Sequence, residues 1–305
     1  MSGTAAESPG TSSSPVGGVR EDLSEAQPVA VTGGLPRLWA ALSAAAGVLS
    51  AVGCLVGLLT PRSIYGRETT ALADAATAQD LVGLVVVAPL LVVLPMAAAR
   101  GARGAWLCWL GFLAFTAYNY AIYAFSIHFG PLFLLWVAVL GLSVFALIGG
   151  LTALLGRAAV APVGLARVHW VGWFLMAVAA LFCLLWLREI VPDLLAGKPS
   201  TSAADWRVPT NPVHVLDLAF FLPAVFVSGL SLLRRGRLGG ATAAGQLVFL
   251  ALTCLPILVT PLVAQARGHT PVWSVVGPVG FLCLATVLVL WRFLRAVAEA
   301  TTHLS

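Results

Sequence analysis

Two stretches of the chain place ionisable side chains where a helix enters an apolar run. In TNPVHVLDLAFFLP, from Thr210 to Pro223, His214 and Asp217 stand close together. Asn211 suits an N-cap and Pro212 the first helical position. His214 and Asp217 then share one helix face, about 4.5 Å apart along the axis. Asp217 lies about two turns in, where the stabilising pull of the helix N-terminus has faded. An ionisable residue inside a span is costly and usually functional. In DLVGLVVVAP, Asp80 holds a similar entry position, and Thr77 with Asp80 resembles an N-terminal capping pattern. The third stretch is TAYNYAIYAFSIHFGP, from Thr116 to Pro131. On a helix Asn119 and Tyr123 share a face, as do Tyr120 and Tyr123. An amide near lipid needs a partner, from another helix or from a ligand. The candidate ligand-binding residues are therefore His214, Asp217, Asp80, Asn119, Tyr120, Tyr123 and Asn211. A carboxylate beside an imidazole can bind a cation or relay a proton. His214 could also act as a general base oriented by Asp217. A metal held by His214, Asp217 and Asp80 is the weaker pattern, because two ligands on one helix leave the third to be placed by the fold. Whether a cofactor is used stays open.

The elements that must position these residues follow from composition. Of 305 residues, 60% are hydrophobic and 10% charged, and mean hydropathy is +0.97. Soluble domains carry about 25% charged residues. A span needs about 20 apolar residues to cross about 30 Å of hydrocarbon. Apolar runs of that length lie near 38–60, 80–99, 105–125, 131–156, 169–191, 213–233, 241–264 and 272–294. The expected fold is an all-α polytopic bundle of eight transmembrane helices over 37–298. It is flanked by a Ser-, Gly- and Pro-rich tail over 1–36, read as disordered, and a short tail over 299–305. All five cysteines fall inside apolar runs without a CxxC pair, so they read as packing residues.

The connections settle an expected orientation. Arg100 and Arg103, then Arg157 and Arg167, then Arg234, Arg235 and Arg237 mark turns without any acid. The alternate set holds Glu68, Asp74, Asp80, Glu189, Asp193, Asp205 and Asp217, with fewer arginines. Arginine-rich turns face the cytoplasm. Both termini are thus expected inside a plasma membrane, and the candidate residues gather on the outer side. Glu68 with Arg67, and Arg188 with Glu189, read as surface pairs, and Trp186 reads as an outer interface anchor. Pro89, Pro95, Pro223, Pro256 and Pro261 interrupt the second, sixth and seventh runs, where proline kinks a helix.

The second and sixth runs also read alike. Asp80 to Arg100 and Asp217 to Arg237 span the same distance, and HFGP at His128 is echoed by HTP at His269. This suggests two parallel four-helix repeats over 37–160 and 165–298, as some transporters have.

YNYAIYAF and NPVHVLDLAF resemble motifs of a multi-pass membrane family of actinobacteria and other bacteria whose activity is uncharacterised. The resemblance covers most of the chain from about residue 38. It implies an eight-span bundle and assigns no catalytic residue. It departs at His128, where similar sequences carry asparagine.

Three function classes stay open. The first is a bundle that binds or transports a small molecule or ion through a pocket open to the outside. The second is a membrane-embedded enzyme acting on a lipid or lipid-linked substrate at the outer leaflet. The third is a non-catalytic subunit of an envelope complex. The expected surroundings are lipid, with no nucleic acid, and the oligomeric state is open. No P-loop, HExxH, HxxxH or GxSxG pattern is present.

Overall fold

A computed structural model of the chain describes residues 35–156 and 168–302, together with Gly3. The rest of the N-terminal tail, Arg157 and Arg167 lie outside the described residues. Among the described residues, eight helices are long and apolar enough to cross a membrane. They are α1 (Arg37–Leu59), α2 (Thr70–Ala99), α3 (Arg103–Ser126), α4 (Phe133–Leu155), α5 (His169–Leu195), α6 (Pro212–Leu233), α7 (Arg237–Ala266) and α8 (Trp273–Glu299). Short helices Pro61–Tyr65 and Thr201–Trp206 sit in two of the connections. No strand occurs among the described residues. A backbone in lipid must bond to itself, and helices do so within one segment.

The helix ends follow local rules, with one shift from the sequence reading. Asn211 caps α6, its Oδ1 accepting the Val213 N–H at 2.9 Å, with Pro212 in the first turn. In α2 the start is not at Asp80. Thr69 is the cap, accepting the Leu72 N–H at 3.3 Å, and the helix begins at Thr70. Thr77 donates back to the Ala73 carbonyl at 2.8 Å. Thr77 and Asp80 therefore form no capping pair, and Asp80 lies well inside the helix. The segment 70–79 is too polar to register as a span alone, yet α7 covers it.

α1 packs through a stripe of small residues. Ser43, Ala46, Gly47, Ser50, Gly53, Cys54 and Gly57 recur at intervals of three and four, and all are buried. In lipid, helix association rests on close van der Waals packing and interhelical hydrogen bonds, which small residues permit. Ser43 donates to the Leu91 carbonyl of α2 at 2.6 Å and accepts the Trp109 indole N–H of α3 at 2.8 Å.

The second and sixth helices share an irregularity. In α2 the segment Gly83–Val87 widens into a π-helical turn, closed by the Ala88 N–H on the Gly83 carbonyl. In α6 the segment Asp217–Phe221 does the same, closed by the Leu222 N–H on the Asp217 carbonyl. Each precedes a proline, Pro89 or Pro223. Proline cannot donate and its ring collides with the carbonyl four residues back, and the wide turn relieves both faults.

The match extends further at one fixed spacing of 134 residues. Ala88–Ala99 corresponds to Leu222–Leu233, and both segments end at an arginine, Arg100 or Arg234. The next residue has a left-handed backbone in each turn, Gly101 (φ 95°) and Arg235 (φ 56°). The following helices open at Arg103 and Arg237. In this register Asp80 matches His214 and Asp217 matches Gly83. It differs by three residues from a pairing of the two aspartates.

α3 and α7 cross where Gly111 meets Gly245, themselves a matched pair. A Cβ on Gly111 would strike the Gly245 backbone, lying 2.9 Å from its Cα. One turn along, the matched Phe115 and Phe249 rings meet edge to face at 5.9 Å. Contacts between like positions mark a local two-fold relation. The two helices are an even number of spans apart, so they run in the same direction and the local axis follows them. The symmetry is incomplete: α4 packs on α3 as α8 packs on α7, but α4 also packs on α1 whereas α8 has no comparable contact with α5.

Candidate functional site

At the end of the bundle away from Arg100 and Arg234, a cavity of about 370 Å³ opens between α2, α3, α5, α6 and α7. Matched pairs line it from the two halves: Gln79 and Val213, Asn119 and Thr253, Tyr123 and Ile257. The cavity therefore sits on the local two-fold relation.

One wall is built around Asp217. Its Oδ1 accepts the Tyr118 hydroxyl of α3 at 2.9 Å, and its Oδ2 accepts the Trp186 indole N–H of α5 at 2.8 Å. Both donors line the cavity, whereas Asp217 itself, 7% exposed, lies behind them. The His214 ring packs against the Trp186 ring, centroids 4.6 Å apart and planes tilted by 49°. His214 and Asp217 thus clasp one indole, as their shared helix face predicts. The wide turn begins at Asp217, so the polar pair ends the regular first turns of α6.

His214 lines the cavity and is 6% exposed. Its Nε2 has no hydrogen-bond partner. The nearest charged atom is Oε2 of Glu189, at 3.7 Å. That separation permits charge attraction to a protonated ring but is too long for a hydrogen bond. A buried polar atom left unpaired is costly and calls for an explanation. Glu189, read from sequence as a partner of Arg188, instead turns to His214 and borders the cavity. Trp186, read as an interface anchor, is a wall of the site.

The Asp80 centre is separate. Asp80 is 1% exposed and does not line the cavity. Its Oδ2 accepts the Tyr65 hydroxyl at 2.5 Å, and its Oδ1 lies 2.9 Å from the Tyr123 hydroxyl. The same Tyr123 hydroxyl is 2.9 Å from the Ala76 carbonyl. Gly57 of α1 leaves room for this contact, since a Cβ there would strike both Asp80 and Tyr65. Burial, and next the Asp80 carboxylate, hold the Tyr65 phenol well above its ordinary pKa. Tyr120 turns away from the cavity, donating to Ser50 at 2.9 Å. Tyr123 joins the two centres, its ring bordering the cavity and its hydroxyl bonding to Asp80.

Asp80, His214 and Asp217 do not converge as metal ligands. The aspartates are engaged by different tyrosines, and no group of three His, Cys, Asp or Glu side chains among the described residues is placed to hold a metal. Asn119 and Asn211 do border the cavity with His214.

Two tethers close the same end of the bundle. Asp74, 4% exposed, meets Arg267 at 3.2 Å and His269 at 2.7 Å, tying α2 to the end of α7. The Glu68 side chain is wholly buried and takes both the backbone N–H and the ring Nδ1 of His128, at 2.9 and 3.0 Å. Arg67 donates to the Phe129 carbonyl at 2.6 Å, so Glu68 and Arg67 do not form the surface pair expected. His128 thereby serves a loop contact.

Tyr118, Trp186 and Glu189 escaped the sequence reading. Each looked like an ordinary interface or surface residue, and only their meeting with His214 and Asp217 of α6 distinguishes them. The chain matches no protein-family model, no curated protein and no solved structure.

Proposed function

We propose that this integral membrane protein binds and carries a small molecule through the cavity between its two halves. The observation that carries the reading is buried His214, its Nε2 unpartnered, in the wall of a cavity of about 370 Å³. That volume is in the usual range for small-molecule sites, about 300–1,000 Å³. Parallel repeats place substrate sites at the repeat interface in known carriers, and matched positions line this one. The wide turns before Pro89 and Pro223 supply matching weak points where each half can flex. The arginine-only turns argue for both termini in the cytoplasm, so the cavity opens outward in a plasma membrane. Kinship with multi-pass bacterial proteins carrying YNYxxYxF and NPVHVLDLAF motifs belongs to the same proposal.

The test is uptake by proteoliposomes given a defined mixture of amino acids, amines, sugars and nucleosides, with the contents read by mass spectrometry. The parent is expected to accumulate at least one class saturably. Asn119→Phe, which fills the cavity, is expected to abolish that uptake while the protein stays folded. No accumulation by the parent, or equal accumulation by the variant, would overturn the proposal.

A further inference from the structure

We infer that the solute taken by this cavity carries an ammonium group, an inference that rests on the binding site just proposed. The described residues lining the cavity include the carboxylates Glu189 and Asp205 and no arginine or lysine. Neither acid has an Arg or Lys salt-bridge partner among the described residues, and Asp205 sits exposed towards the rim. Asp217 adds a third carboxylate behind Tyr118 and Trp186. The lining is thus acidic with no cation supplied by the protein.

The wall formed by His214 and Glu189 suits a nitrogen that donates. His214 Nε2 and Glu189 Oε2 are 3.7 Å apart. Charge-assisted N–H···O bonds run about 2.7–2.9 Å. Nε2 is closed to solvent as the ring stands, so a small turn of His214 toward the cavity is what lets one ammonium nitrogen bond both atoms, satisfying the orphaned imidazole nitrogen and neutralising the carboxylate. In that arrangement His214 accepts through Nε2. The walls suit a cation as well, since Trp186, Trp206, Tyr118 and Tyr123 all border the cavity. Aromatic faces attract cations by about 0.5–2 kcal/mol, more as water is excluded. An anionic solute would meet only like charge.

The same ammonium chemistry exists free in solution and on an aminophospholipid headgroup. The experiment separates the two. The full chain is placed in phosphatidylglycerol nanodiscs and titrated calorimetrically with putrescine and with ethanolamine, using acetate and glucose as controls. In parallel, protein from mixed phosphatidylethanolamine–phosphatidylglycerol discs is released for native mass spectrometry. Saturable amine binding, absent for acetate and glucose, assigns a free amine. Retained phosphatidylethanolamine without free-amine binding assigns the headgroup. In either case Glu189→Gln is expected to weaken binding about tenfold or more, the cost of one charge-assisted hydrogen bond. His214→Gln tests the same point if Glu189→Gln does not fold. Amine binding unchanged in both variants overturns the inference. So does the absence of both ligands from a parent that accumulates neutral or anionic solutes in proteoliposomes, and that outcome leaves the carrier reading standing. A parent that neither binds nor accumulates any solute removes both.

Discussion

A carboxylate buried in a bundle keeps its place through the donors pointed at it. Asp80 is met by Tyr65 and Tyr123, and Asp217 by Tyr118 and Trp186. Removing one donor leaves an acceptor oxygen unpaired, which costs about 1–3 kcal/mol. Trp186→Phe is therefore expected to lower thermal stability in detergent by that amount, and also to free the face of His214. Tyr65→Phe is expected to destabilise similarly without altering ligand binding, since Tyr65 does not border the cavity. Thermal unfolding beside calorimetric titration separates the two effects. Equal loss of binding in both variants would show that the two centres act as one. At Gly57 even a methyl group would strike Asp80 and Tyr65. Gly57→Ala is expected to cost about 1–3 kcal/mol, the usual toll of overpacking.

Between elements, what decides is how closely backbones approach. α3 and α7 touch at Gly111 and Gly245, which lets the matched Phe115 and Phe249 rings meet. Gly111→Leu is expected to force these helices apart, lowering stability by about 1–3 kcal/mol or more, and to open the cavity wall. Gly141 on α4 is the control, since nothing lies within 4 Å of a Cβ built there. Gly141→Ala is expected to be neutral or stabilising by up to about 1 kcal/mol, because alanine favours the helix. The melting temperatures of the two variants check the pair, and similar losses would show that the crossing does not depend on close approach. The wide turns of α2 and α6 belong to this scale too. Amide hydrogen exchange is expected to be faster at Gly83–Val87 and Asp217–Phe221 than in the regular turns beside them. Uniform protection along α2 and α6 would argue against flexing there.

For the whole molecule, orientation decides which compartment the cavity serves. Lys198 lies in the connection between α5 and α6, at the cavity end, and Arg235 in the turn between α6 and α7. With the arginine-only turns in the cytoplasm, Lys198→Cys is expected to react with a membrane-impermeant maleimide in intact cells. Arg235→Cys is expected to react only after permeabilisation. The reverse pattern would turn the cavity inward and require the carrier reading to start from the cytoplasmic side. The background native cysteines sit within the helices, from Cys54 in α1 to Cys283 in α8.

The eight spans, and the clustering of His214, Asn119, Asn211 and Tyr123 at one end, were legible in the residues. Hydropathy over about 20 residues is a local property, and so is the N-cap at Asn211. The start of α2 was not, because the polar segment 70–79 becomes a helix buried against α7 only once the bundle assembles. Nor was the role of Glu189 or Trp186, since an acid beside an arginine and an indole near a span end look alike whether they pair locally or turn inward. The 134-residue correspondence between α2 and α6 was hidden for a related reason. Matching the aspartates by type is the natural reading of the string, whereas the structure aligns the wide turns, the prolines and the closing arginines, and so pairs Asp80 with His214. Sequence alone determined a lipid-embedded helical bundle with its polar residues at one end, because the cost of placing polar groups in hydrocarbon acts residue by residue. Only the tertiary structure decided which of those residues share a cavity and which satisfy one another. That depends on contacts between residues as distant in sequence as Tyr118 and Asp217, and no local pattern encodes them.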